Sequence, residues 1–118
     1  MGIEASFIKG VNTIFKVLKE AVKDGTHVII TDDGFNDPTE QRYPVRVIFD
    51  KFTQADVQSL SFSELIQPTD VKCLLQGAEL TVPIRTSAFI EAGGATYTVV
   101  AFDTDAFNVL YILLLRDT

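Results

Sequence analysis

Few side chains in this sequence are of the kinds that do chemistry. His27 is its only histidine and Cys73 its only cysteine. Together they fall short of the four ligands of a structural zinc site, and one cysteine makes no disulfide framework. A catalytic imidazole needs a nucleophile on one side and an orienting carboxylate on the other. His27 instead opens the run HVIIT, with no Ser, Cys or carboxylate at triad spacing, so it reads as a structural histidine. Cys73 lies in VKCLL and reads as a small buried hydrophobe.

Carboxylates cluster twice. Asp32, Asp33, Asp37 and Glu40 surround Gly34 in TDDGFNDPTE, a composition that invites a cation. The EF-hand template fails there: the glycine comes two positions too early and no glutamate closes a 12-residue loop. Solvated turn carboxylates are the plainer reading. Asp103 and Asp105 are spaced for acid/base work, yet no His, Lys or Tyr accompanies them in DTDAFN, and turn formation accounts for both. Gly93-Gly94 lacks GxxxxGK[ST] and precedes a strand, so it is a tight turn rather than a phosphate loop. Neither a catalytic constellation nor a cofactor or metal site emerges, and the expectation is a protein that is not an enzyme.

The elements that position these residues follow from periodicity. Residues 3 to 24 read as an amphipathic helix: Phe7, Val11, Ile14, Phe15, Leu18 and Val22 share one face, and Lys9, Lys16, Lys19 and Lys23 the opposite one. Gly25 would stop it in the left-handed conformation. Strands are expected at His27–Thr31, Tyr43–Asp50, Val71–Leu75, Ser87–Glu91, Ala95–Phe102 and Asn108–Arg116. Pro44 belongs on an edge, lacking the N–H of a central ladder. Loops are expected over 32–42 and 52–70; the second, rich in Ser, Thr and Gln, is long enough to be a segment that orders on binding. One helix followed by six strands predicts a single domain over residues 1–118, mainly β, a small antiparallel barrel or sandwich.

Charge limits the partners. The chain has net charge −6. Through Asp24 four lysines face three acidic residues, whereas beyond it six basic residues face thirteen acidic ones. Phosphate neutralisation is therefore a poor basis for binding nucleic acid. The start MGIEASFIKG lacks the basic and apolar regions of a secretory signal, and no stretch approaches the ~20 apolar residues that span a bilayer. The closing run Val109–Leu115 is seven residues without a charge. Such a strand wants both faces covered, one by the barrel core and the other by the N-terminal helix through Phe7, Val11, Ile14 and Leu18, with a neighbouring subunit as the alternative cover.

Taken in order, the amphipathic helix, the acidic Gly-containing loop, the strand YPVRVIFD, the long loop and the pair GGATYTVVAFDTDAFNVLYILLLRD resemble the head-tail joining proteins of long-tailed bacteriophages, of the lambda-type head-tail attachment (stopper, or head-completion) kind. The resemblance lies in Gly94, Tyr97, Val99, Val100 and Asp103 leading into Leu110–Arg116. The segment QGAELTVPIRTSAFIEAGG departs from the family's compact turn. The resemblance implies a virion protein without catalysis, monomeric when free and forming a ring, usually a hexamer. Such a ring would sit below portal and adaptor and above the tail terminator or tail tube, with packaged DNA passing through unbound and no membrane involved.

Under that reading the contact surfaces would be Asp32, Asp33, Phe35 and Asp37 in the first loop, Phe62, Leu65 and Ile66 in the second, and Lys16, Lys19 and Lys23 on the helix. A tail-completion or tail-terminator role is the neighbouring alternative. A single-strand binder of OB type would need basic residues among Tyr97 and Phe102, which the sequence lacks.

Overall fold

The computed structural model describes residues 22–118 apart from Asp33 and Ala106. Alternation, where the sequence carries it, becomes strand. In β2 (Thr39–Asp50) Val45 and Val47 are buried while Pro44 and Arg46 are exposed, the period of two that a half-buried strand requires. The other strands are β1 (Val22–Thr31), β3 (Val71–Gln76), β4 (Phe89–Ala92), β5 (Ala95–Thr104) and β6 (Leu110–Asp117). They close an antiparallel barrel in the order β1-β2-β3-β6-β5-β4, with β4 returning to β1. The protein is thus mainly β, and the choice between barrel and sandwich falls to the barrel.

Inward-facing residues fill the interior. Val45 and Val47 meet Cys73 and Leu75 from β3, Ile90 from β4, Val99 from β5, and Tyr111, Leu113 and Leu115 from β6. Cys73 is buried as expected, and burial raises its thiol pKa far above the ordinary range, which keeps it unreactive. The register of β5 on β6 slips once, Val99 facing Leu115 and Ala101 facing Leu114, so Val100 is a bulge. The bulge lets Phe102 return to the inward side opposite Leu113. Gly93 and Gly94 have φ of 60° and 79°, the turn conformation that the β4–β5 hairpin demands.

Three expectations change. The strand β1 begins at Val22, so the expected helix cannot run to Asp24 and Lys23 lies on a strand. The rest of that helix, with Lys16, Lys19, Phe7, Val11, Ile14 and Leu18, lies outside the described residues. Gly25 is no helix stop: it sits in mid-strand, where an added Cβ would come 3.0 Å from the Glu91 carbonyl oxygen. Close approach of β4 explains this glycine. Strand β2 starts at Thr39, which shortens the first loop to residues 32–38.

The third change is the expected long loop. Thr53 caps a short helix α1 (Gln54–Ser59), its hydroxyl accepting from the Asp56 N–H at 3.2 Å while its own N–H donates to Asp56 Oδ2 at 2.7 Å. A 3-10 turn over Ser63–Leu65 follows. Three clamps fasten this segment to the outside of the barrel. Lys72 Nζ donates to Asp56 Oδ1 at 2.9 Å, the Ser61 N–H to Asp103 Oδ2 at 2.8 Å, and Arg116 Nη2 to Asp70 Oδ2 at 2.9 Å. Phe62 packs edge-on against Phe52 at 6.0 Å between ring centroids. The polar residues that suggested a loop awaiting a partner are caps and clamps.

Between β3 and β4 a crossover over residues 77–88 closes one barrel end. Leu80 and Val82 pack on the core, and Ile84 and Ala88 are buried in it. This upper end also holds the β1–β2 hairpin turn and the β5–β6 loop; the lower end holds the Gly93-Gly94 turn and the two ends of the segment 51–70, whose middle climbs the barrel's outside as far as Asp103.

Candidate interaction surfaces

At the upper end β1 and β2 outrun their neighbours. The β1–β4 ladder ends at Val28, and β3 joins β2 only at Val47–Asp50, while β1 and β2 stay paired out to Thr31 opposite Thr39. A two-stranded arm therefore projects from the barrel. Pro44 falls where β2 has β1 alone as a ladder partner among the described residues, consistent with its edge character. At the tip Asp32 Oδ1 accepts from the Gly34 N–H at 2.9 Å, with Gly34 at φ 80°, so this carboxylate builds the turn. Phe35 is 93% exposed, Asp37 is exposed, and Asp33 lies outside the described residues.

At the same end, in the β5–β6 loop across the barrel from the arm, Phe107 is also exposed. Its loop is organised by Asp105, whose Oδ2 accepts from the Phe107 N–H and whose Oδ1 accepts from Val109 and Leu110, each at 2.8 Å. Burial disfavours the charge on Asp105, but these backbone donors outweigh it and hold the carboxyl below its ordinary range. Turn formation, expected for this aspartate, is what it does.

The lower end has a different character. A cleft of about 590 Å³ lies between Phe52, Val57, Ile66 and Pro68, with Lys51 and Gln54 at its rim. Leu65 and Val57 are exposed nearby and Ile66 is partly covered. Phe62, expected at a contact surface, is only 5% exposed and belongs to the packing under this segment. Lys23 stands at the foot of β1, its Nζ 5.4 Å from the Phe49 ring centroid. The sequence-predicted residues that are described thus fall at separate places, Asp32, Phe35 and Asp37 on the arm and Lys23, Leu65 and Ile66 toward the other end, rather than forming one patch; Lys16, Lys19 and Asp33 lie outside the described residues. Sequence reasoning passed over Ile30, Val57 and Phe107, exposed apolar residues whose neighbours Ile29, Leu60 and Val109 looked no different in type.

Cations on this surface are largely engaged. Arg42 pairs with Glu40 and Glu91, Arg46 with Glu79, Lys72 with Asp56 and Arg116 with Asp70. Among the described residues no group of three or more His, Cys, Asp or Glu is placed to hold a metal ion.

The Asp70–Arg116 pair is the strongest clamp. The Asp70 side chain is fully covered and accepts from Arg116 Nε at 3.0 Å, Arg116 Nη2 at 2.9 Å and the Gln67 N–H at 2.8 Å. Arg116 also donates to the Leu65 carbonyl at 3.0 Å. The guanidinium, chiefly, lowers the Asp70 pKa, with burial opposing and the Gln67 N–H assisting. Arg116→Ala is expected to destabilise the fold, by less than breaking a fully buried pair would because the arginine is part-exposed. Because the carboxyl is depressed in the folded state, the clamp's contribution is present above the ordinary carboxylate range and is lost as pH falls through the folded value. Urea titrations should show a parent–variant gap at pH 7 that shrinks toward pH 2; a gap independent of pH would refute this account.

What fold and surface define is a small closed antiparallel β-barrel with exposed apolar side chains toward both of its ends. Compared with known proteins, the chain matches no family model and no curated sequence.

Proposed function

We propose that this protein is a structural component of the bacteriophage neck, a head-tail connector of the stopper type that assembles as a ring, retains packaged DNA and presents a surface to the tail. The observation that supports this reading is an unlike pair of surface features at opposite barrel ends, an arm tipped by the exposed Phe35 above and a cleft beside the exposed Leu65 below. A connector needs two faces, one toward the head and one toward the tail. The order of elements and the resemblance of the β5–β6 pair to stopper proteins point the same way. Charge supports it too, since arginines already engaged by carboxylates offer little purchase to DNA phosphates.

Imaging of particles made without this gene tests the proposal. DNA-filled heads that lose their DNA, together with separate finished tails, are expected. Tails fully joined to stable, filled heads would overturn it.

A further inference from the structure

His27 is fully buried, 0% exposed, and neither ring nitrogen has a hydrogen-bond partner among the described residues. Both are atoms that water would otherwise satisfy, and their isolation is costly even for a neutral ring. Its surroundings offer no relief. Across the ladders it faces Tyr43 of β2, with ring centroids 6.2 Å apart, and Ile90 of β4, which in turn faces Tyr97 of β5. On its own strand the next charge on the inward side is Lys23, a cation at the lower end. Above it runs the crossover, whose Arg85 acts on the imidazole with a second positive charge. A proton on His27 would meet burial and Arg85 together, and among the described residues its ladder partners on the inward side, Tyr43 and Ile90, bring no carboxylate to it.

We propose that His27 and the crossover above it form an acid-operated latch, in which a proton on this imidazole releases residues 80–88 from the barrel end. The strands around His27 are tied by continuous ladders. The 77–79 turn of the crossover is anchored by the Gly77 N–H on the Val109 carbonyl and by Arg46 on Glu79, whereas residues 80–88 are held by less: the side chains of Leu80, Val82, Ile84 and Ala88, and the exchange of bonds in which the Ser87 N–H donates to Val99 at 3.0 Å and the Val99 N–H to Ala88 at 2.9 Å. Ser87 has φ 70°, a conformation disfavoured for a residue with a Cβ. Repulsion between imidazolium and Arg85 therefore acts across the weakest attachment near the ring.

The sign follows from burial, which lowers the His27 pKa, with Arg85 adding to it. Above pH ~6.5 both folded and unfolded chains carry the ring neutral and the latch is intact. Below it the unfolded chain takes up the proton first, so the folding equilibrium constant should fall by up to about tenfold per pH unit until the folded value is passed. With a single histidine in the chain, one imidazole resonance reports the titration.

Hydrogen exchange and urea titration between pH 7.5 and 5, on the parent, His27→Leu and Arg85→Gln, test the latch. Expected are faster exchange at 80–88 before β3 and β6 respond, a flat stability profile in His27→Leu, and release displaced to lower pH in Arg85→Gln. Should His27→Leu not fold, the imidazole titration of the parent and Arg85→Gln decides. An imidazole titrating at or above 6.5, a His27→Leu profile equal to the parent's, or exchange rising uniformly over all six strands would overturn the proposal.

Discussion

Leu114→Asp leaves no folded barrel. Leu114 is 0% exposed although it sits on the outward side of β6, opposite Lys72 of β3 and Ala101 of β5. Its neighbours on that side are the three clamp residues: Lys72 beside it, Arg116 one outward position along β6, and Asp103 opposite Ile112 one outward position back. The segment carrying Asp56, Ser61 and Asp70 is thereby fastened around it. Loss of the leucine costs roughly 2–5 kcal/mol, as large-to-small changes do. Burying an unpaired carboxylate adds several more, against the roughly 5–15 kcal/mol that holds a domain together. Circular dichroism should show loss of the strand signal without a cooperative melt. A cooperative transition near that of the parent would mean that the cover over β6 opens freely.

Gly77→Ala is the second severe change, and it acts through backbone. An added Cβ would lie 1.9 Å from the Asn108 carbonyl oxygen. The two loops cannot simply part, since the Gly77 N–H donates to the Val109 carbonyl at 2.7 Å. Asn108 already stands at φ 55° and Asp105 pins the residues after it, so the β5–β6 loop has little room to yield. The cost should approach about 3 kcal/mol, at the upper end of overpacking penalties, and the urea midpoint measures it. A change under about 0.5 kcal/mol, ordinary for a surface site, would show that the loops separate without loss.

Much of the barrel was legible in the sequence because its signals are local. YPVRVIFD alternates, Gly93-Gly94 has the composition of a tight hairpin, and the uncharged closing strand has both faces covered as its lack of alternation requires. The expected cover, the N-terminal helix, lies outside the described residues; what the sequence did not show is that the 52–70 segment is fastened beside β6 by Arg116, Lys72 and Asp103, partners distant in sequence. Strand β1 was cut short for a related reason. Asp24-Gly25 has the composition of a helix end, and only the approach of Glu91 shows why glycine stands there. Phe62 looked available because Ser61 and Ser63 flank it, yet the Ser61 N–H is committed to Asp103. In each case the missing information was a long-range contact that supplies a polar residue with its partner.

The ladder order bears on how the chain finds this shape. Neighbours in sequence supply the β1–β2, β2–β3, β4–β5 and β5–β6 pairings, the second across the 51–70 segment, whereas β3–β6 and β1–β4 join distant stretches, the latter bringing Gly25 to Ala92. Loop-closure entropy makes the local hairpins the cheap steps and these two seams the slow ones. Until Gly25 meets Ala92 the nascent sheet has two open edges. The chain is therefore most exposed to pairing with its neighbours just before the ring of strands closes.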